Sequence, residues 1–419
     1  MIRKITTLIL FIFIFRLCIF SEDHTAATTF ALGADVSWVT QMEAAGKKFY
    51  TSTGTQTECM ALLKSLGMNT IRLRVWVNPA DGWCNAQDML VKAIRANNLG
   101  MRIMIDFHYS DVWADPSHQT KPVAWANLSF VNLKAAVTAH TTDVLNLLKT
   151  NGITPEWVQV GNETGNGMLW NDGNATTNMA NYAQLSNAGY DATKAVFPDA
   201  KVIIHIQNGY SNSLFRWIFD GLKNNGAKWD VIGLSLYPSW YTTPNDWQNA
   251  NKDCLTNMND MVSRYGKEVM IVECGMSWNT PDICKSFLTD IIAKTKSVTG
   301  NKGLGVVYWE PESYNWQNYS LGAFDNSGKP TSALDAFSTS TDNIIQTIHP
   351  VTVGWNHLTG SFQFSEQVYS ATLYDARGNR LNHITNSSSI KGGSLPKGVY
   401  IINFIPLNSS GNVSCKVIK

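Results

Sequence analysis

The chain has 419 residues, 44% hydrophobic and only 16% charged, against roughly 25% charged in an average soluble domain. Its 33 Lys and Arg balance 32 Asp and Glu, for a formal charge of +1, which argues against nucleic acid or an anionic membrane as a main partner. Trp, Tyr and Phe together make up 11% of the residues. Most of these rings serve a large core, and the surplus suits a neutral ligand with flat apolar faces.

The N-terminus reads as a targeting segment. Arg3 and Lys4 precede an apolar run from Ile5 through Phe15, Arg16 interrupts it, and Leu17-Cys18-Ile19-Phe20 leads into polar Ser21-Glu22-Asp23. The uninterrupted run falls short of the ~20 residues of a membrane span. Residues 1–25 are therefore expected to be a signal peptide, with the mature protein secreted or held at the cell surface. Cys18 as a lipid anchor is the alternative, and Arg16 suits it badly. The seven cysteines show neither a CxxC pair nor zinc spacing, and are expected to be buried thiols.

From about Phe30 to Phe337, short apolar runs alternate with amphipathic stretches. The runs are Phe30–Asp35, Thr70–Val75, Arg102–Phe107, Trp157–Val160, Val202–His205, Val231–Leu236, Val269–Val272 and Gly305–Tyr308. Helical stretches such as Glu58–Leu66 and Val131–Lys149 lie between them, and many close on Gly, as at Asn151-Gly152 and Tyr265-Gly266. Eight strands alternating with helices predict a (β/α)8 TIM barrel over residues 28–340. A doubly wound open sheet is the rival, but no G-x-G-x-x-G follows the first strand.

Polar and aromatic groups cluster where those strands end: Arg72 and Arg74, His108, Asn162-Glu163, His205, Tyr237, Glu273, and Trp309-Glu310. In a barrel these ends converge on one face, where barrel active sites lie. Glu163 and Glu273 would then face each other across a cleft, the arrangement glycoside hydrolysis needs. One carboxyl must hold a proton and the other must be ionised, a split that environment can produce. Asn162 can bond a sugar hydroxyl, Tyr237 can orient Glu273, and Trp309 offers a flat face for a sugar ring or is simply core. Arg72 and Arg74, two residues apart, face the same side of their strand, so one or both can keep a carboxylate charged. A metal hydrolase would want clustered His and Asp. With eight His in all, and His108 and His205 alone on their strands, no metal or other cofactor is expected.

Longer words make the pattern specific: Gly33-Ala34-Asp35-Val36-Ser37, Ile71-Arg72-Leu73-Arg74-Val75-Trp76-Val77-Asn78-Pro79, Asp106-Phe107-His108-Tyr109-Ser110-Asp111-Val112-Trp113-Ala114-Asp115-Pro116, Val160-Gly161-Asn162-Glu163, Gly167-Met168-Leu169-Trp170, His205-Ile206-Gln207-Asn208-Gly209 and Tyr308-Trp309-Glu310-Pro311. On these words the chain resembles glycoside hydrolase family 53, the endo-β-1,4-galactanases of the retaining barrel clan. The resemblance implies hydrolysis of β-1,4-galactan in pectic side chains, with Glu163 as acid/base and Glu273 as nucleophile. It also implies substrate-binding roles for Arg72, His108, Asp111, Trp113, Asn162, Trp170, His205, Tyr237 and Trp309. Some bacterial members carry an acidic, calcium-binding loop after the nucleophile strand. Here Cys274–Asp282 is short with one acid, so a calcium site is not expected. Another endo-hydrolase of the clan, a mannanase or cellulase, and a non-catalytic surface glycan-binding barrel are the alternatives.

After a polar linker, Ser338–Asn343, short alternating runs predict a small β-sandwich over residues 348–419. Leu373-Tyr374-Asp375, Gly378, Leu395–Tyr400 and the Lys-terminated last run resemble the C-terminal sorting domain of type IX secretion, which implies outer-membrane secretion machinery as a partner. A spacer or a sugar-binding sandwich remains open. The protein is expected to be a monomer.

Overall fold

Eight parallel strands close into one barrel: β1 (Ala31–Asp35), β2 (Thr70–Val75), β3 (Arg102–Phe107), β4 (Trp157–Val160), β5 (Lys201–Ile206), β6 (Val231–Leu236), β7 (Glu268–Cys274) and β8 (Gly303–Trp309). The ring closes where β1 pairs with both β8 and β2, bringing Asp35 beside Trp309 and Arg72. The structure, a computed structural model, describes residues 29–339, 353–356, 359–375, 379–406 and 413–419. The expected signal peptide, Cys18 and residues 340–343 of the linker lie outside the described residues, as does the side chain of Cys415.

Between the strands run α1 (Val39–Ala44), α2 (Cys59–Ser65), α3 (Ala86–Asn98), α4 (Phe130–Thr150), α5 (Ala175–Val196), α6 (Asn212–Asn224), α7 (Trp247–Tyr265) and α8 (Pro281–Lys296). Local chemistry sets their ends. Asn85, Ser129 and Asn174 accept backbone N–H bonds at the starts of α3, α4 and α5. Gly266 closes α7 at φ 66°, a left-handed position that costs any residue with a Cβ. Among the described residues no helix is long and apolar enough to cross a membrane. The five described cysteines are all buried and free.

The barrel interior has two layers. Ala31, Met104, Trp157, Ile203, Val231, Met270, Val272 and Val307 form an apolar plug. Toward the C-terminal strand ends follow Asp35, Arg72, Arg74, Asp106, Gln159, His205, Ser235 and Glu273, all buried. Alternation explains most of the switch: Met104 to Asp106, Trp157 to Gln159 and Ile203 to His205 are each two residues on. Glu273 breaks the period, because it lies an odd number of residues from Met270. The register supplies the reason. Leu234 pairs with Ile271 but Ser235 pairs with Glu273, so Val272 is an extra residue. A bulge of this kind re-aims the next side chain, and it turns Glu273 inward.

The chain divides into two compact units between Ala336 and Phe337. The second is a five-stranded antiparallel sheet: β9 (Val353–Asn356), β10 (Ser361–Asp375), β11 (Arg380–Lys391), β12 (Val399–Pro406) and β13 (Val413–Ile418), in the order β9-β10-β12-β13 with β11 on β10. The first half of β10 pairs with β9 and its second half with β12. Register irregularities beside Val368 separate the halves. Phe362, Phe364, Leu373, Ile390, Tyr400, Ile402 and Phe404 form its core.

Candidate active site

Glu163 is delivered by a strained strand exit. Gly161 after β4 has φ +84°, and a Cβ there would lie 2.6 Å from Thr164 Cγ2. Glu163 itself is left-handed at φ 47°, a conformation that non-glycine residues hold only when their surroundings fix it. The Thr164 N–H, 2.9 Å from the His205 carbonyl, and the Thr164–Tyr182 hydroxyl pair at 2.7 Å supply that fixing.

Glu163 and Glu273 both line a cavity of about 380 Å³, with Trp38, His108, Trp113, Asp115, Asn162, Tyr237, Trp240, Trp309 and Tyr319 among its other walls. An oxygen of each carboxyl lies within 4.8 Å of the other's and of a ring nitrogen of His205. Their surroundings differ. Glu273 Oε1 is 2.9 Å from Arg72 Nη1, and Oε2 accepts from the Tyr237 hydroxyl at 3.3 Å. Glu163 Oε1 accepts from the Ser235 hydroxyl at 2.6 Å. Burial pushes the Glu163 carboxyl up to about 7, against the pull of Ser235 and Arg72. Burial also pushes Glu273 up; Arg72 opposes it and the charge of Glu163 adds to it. Two buried carboxyls this close share one proton readily. Glu273, in direct contact with a guanidinium, is the better holder of the negative charge.

Arg72 is fully buried and meets three carboxylates: Asp35 at 2.7 Å, Asp106 at 2.9 Å and Glu273 at 2.9 Å. Arg74 takes a different task. It reaches Glu310 at 3.4 Å and lies 4.2 Å over the Trp113 ring and 4.9 Å over that of Trp76, a cation–π cradle for the aromatic wall. Of the two arginines, only Arg72 contacts one of the facing carboxylates.

The structure brings Glu163, Glu273, His108, Trp113, Asn162, Tyr237 and Trp309 to the cavity wall. Four residues expected at the substrate are placed elsewhere. Arg72 and His205 sit behind the carboxylates, because their strand positions are one layer deeper than the rim. Asp111 accepts the N–H groups of Asn78 (2.8 Å) and Val123 (2.9 Å) and so ties two loops together. Trp170 donates from its indole to the Asn166 carbonyl at 2.9 Å. His108 lines the cavity but is almost fully buried. Its Nδ1 accepts from Ala114 N–H at 3.0 Å and its Nε2 is 3.1 Å from Asp106, while burial lowers its pKa and keeps it neutral.

Several wall and support residues carry no signal in the sequence. Ser235 and Gln159 are single polar letters in apolar strands. Trp38 and Tyr319 flank Trp309, with ring centroids at 5.0 and 4.8 Å, and Trp240, 58% exposed, stands at the rim. Only the run of aromatics near strand ends could have pointed to them.

Glu163, His205 and Glu273 form a group that could hold a cation. However, both His205 nitrogens already face protein partners: Ser235 at 2.7 Å, and Gln159 at 2.9 Å. That donor set does not suit a cation. Asp282, the one acid near the loop between β7 and α8, lies in the first turn of α8 and accepts from the Ser332 hydroxyl at 2.7 Å.

Residues 31–382 match the sequence model of glycosyl hydrolase family 53. The chain belongs to glycosyl hydrolase family 53. Among similar family members is a probable arabinogalactan endo-beta-1,4-galactanase A of Neosartorya fischeri. It is 34% identical over 317 residues, covering 70% of this chain and 86% of that protein. An endo-beta-1,4-galactanase of Bacillus subtilis is 33% identical over 67% of this chain and 70% of its own length. A solved structure from work on two fungal beta-1,4-galactanases superposes with a TM-score of 0.69 at 31% identity, covering 75% of this chain and 100% of that one. The glycosidase identity of the barrel thus rests on family membership, and the (β/α)8 fold expected from the sequence is the fold observed.

Proposed function

We propose that this family 53 glycosidase is a retaining endo-β-1,4-galactanase. The single observation that carries the stereochemistry is the approach of Glu163 and Glu273 oxygens to within 4.8 Å. Retaining pairs stand about 5–5.5 Å apart, whereas inverting pairs leave ~6.5–9.5 Å for a water. The galactan specificity is supported by the names of the fungal and bacterial relatives.

In this reading Glu163 gives its proton to the glycosidic oxygen as that bond breaks, and Glu273 Oε attacks the anomeric carbon to form a glycosyl ester. Glu163, now ionised, takes a proton from water as the water oxygen displaces Glu273. Arg72 and Tyr237 hold Glu273 ionised and aimed. Trp309, Trp38 and Trp113 give sugar rings an apolar wall, and Trp240 adds a face at the rim. A panel of linear β-1,4-galactan, mannan, xylan and cellulose, read as reducing ends, tests the substrate. Galactan should be cut to short oligosaccharides. Clear activity on mannan or cellulose with none on galactan would overturn the assignment, and no hydrolysis of any would favour a binding protein.

We also propose that residues 1–25 direct export, that the protein acts as a monomer outside the cell or on its surface, and that the β9–β13 unit is a sorting domain for outer-membrane secretion machinery. The N-terminal charge pattern and the tail's motif words support this. A chain ending at Ser340 should keep activity on soluble galactan and be mislocalised in its host. Unchanged location would leave a spacer or a glycan-binding unit.

A further inference from the structure

Ser235 and His205 do not reach the cavity, yet they connect Glu163 to the buried charges beneath it. The directions of these hydrogen bonds follow from groups that can act in one way only. Arg72 is a donor, and its Nε and Nη2 each lie 3.3 Å from Gln159 Oε1. Asp106 is an acceptor, its pKa lowered by Arg72 and His108 against its burial, and its Oδ1 lies 2.5 Å from Gln159 Nε2. These two fix the Gln159 amide. Its second N–H then has His205 Nδ1 at 2.9 Å as its nearest acceptor, with Asn162 Oδ1 at 3.2 Å and the Gly161 carbonyl at 3.3 Å farther off, and the Glu163 N–H points to His205 Nδ1 at 3.4 Å. Asn162 Oδ1, 3.0 Å from Nδ1, favours a proton there, but its two lone pairs already face Arg72 Nη2 at 2.9 Å and Gln159 Nε2 at 3.2 Å. The network therefore assigns Nδ1 as acceptor and the proton to Nε2. His205 donates to Ser235 Oγ at 2.7 Å, which leaves the Ser235 hydrogen for Glu163 Oε1 at 2.6 Å.

We propose that Ser235, oriented by His205 and Gln159, is a positioning residue that keeps Glu163 Oε1 an acceptor throughout the cycle and so confines the transferable proton to Oε2, the oxygen left for the cavity. This rests on the reading of Glu163 as acid/base. In the first half-reaction the proton leaves Oε2 for the glycosidic oxygen as the C–O bond breaks. In the second, Oε2 takes a proton from water as the new C–O bond forms. Oε1 keeps the Ser235 bond in both. With Oε1 committed, the acid cannot turn its proton away from the substrate.

Glu163 is also faced by Arg72 from β2, Asp106 from β3, Asp115 after β3, His205 from β5, Tyr237 after β6 and Glu273 from β7. Ser235 and Arg72 favour the ionised form, while burial, Asp115 and Asp106 oppose it. Ser235→Ala removes only the hydroxyl, so the shift it causes has a definite sign: the Glu163 pKa rises.

The test uses the full chain. In Ser235→Ala, kcat/KM on galactan should fall about tenfold, the worth of one hydrogen bond to a charged group. The alkaline limb of its pH profile should move upward. On aryl β-galactosides with good leaving groups, kcat/KM should change little. Ser235→Thr, which keeps the hydroxyl, should restore the limb. Nitrogen NMR of His205 in the unaltered protein should show a proton on Nε2. An unmoved alkaline limb in a Ser235→Ala protein of normal Tm overturns the proposal. So does a proton on Nδ1, a readout that stands even if the variant does not fold. The acid/base reading fails separately, if Glu163→Ala is equally impaired on galactan and on activated aryl substrates.

Discussion

Arg72 meets Glu273 at 2.9 Å only because the extra residue Val272 in β7 turns that carboxylate into the barrel. The guanidinium then carries the fully buried Asp35 and Asp106 together with Glu273 at the cavity wall. Such a group is stable while complete, and removing one member leaves buried charge without a partner.

Arg72→Met should therefore destabilise the fold by about 3–5 kcal/mol and abolish measurable galactan hydrolysis. Urea unfolding alongside a reducing-end assay checks both. A variant as stable as the parent, or within tenfold of its activity, would contradict the role given to Arg72.

The two carboxylates should separate by substrate. Glu273→Ala should lose turnover of every substrate. Glu163→Ala should lose a factor of about 10²–10⁴ on galactan but keep activity on aryl galactosides with good leaving groups, and azide should rescue it with a β-configured adduct. Equal loss on both substrates without rescue would mean the roles are misassigned.

Burial of Glu163 gives a pH dependence with a fixed sign. Its carboxyl is raised from 4.5 in the unfolded chain to about 7 in the fold. Between those values the unfolded chain loses its proton first, so the fold loses stability as pH rises, and the deficit is complete above about 7. Glu163→Gln removes it. This variant should match the parent at pH 4 and exceed it by on the order of 3 kcal/mol at pH 8. The activity of the parent should decline over the same rise, because the acid loses its proton. Equal stability of the two proteins at both pH values would show that Glu163 is not held protonated.

Much of this was legible in the sequence. Alternating apolar runs and Gly-closed helices gave the barrel strands to within a residue or two, and strand-end polar letters located the face that carries Glu163 and Glu273. Depth was not legible. A strand end does not say whether Arg72 and His205 reach the cavity or stop one layer below it, since that depends on the stagger of neighbouring strands. Nor does Val269–Val272 reveal that a bulge follows and re-aims Glu273. Ser235 is one hydroxyl in an apolar strand, and Tyr319 lies in a long loop without periodicity. In the tail, Val353–Asn356 carried too short a pattern to stand out.

Chelation should leave the protein unchanged. The loop between β7 and α8 has one acid near it, Asp282, already engaged by Ser332, and hard cations want six or more oxygens. Melting temperature and activity should be equal with and without EDTA. A large fall in Tm, restored by calcium, would reveal a site elsewhere.

The account's central claim is a double displacement at Glu163 and Glu273 on β-1,4-galactan. Proton NMR of the first reducing ends released from galactan, recorded before mutarotation, tests it most directly. The account predicts the β-anomer in initial excess, decaying toward equilibrium. The α-anomer appearing first would contradict it, because the two carboxylates would then have to act through a water between them.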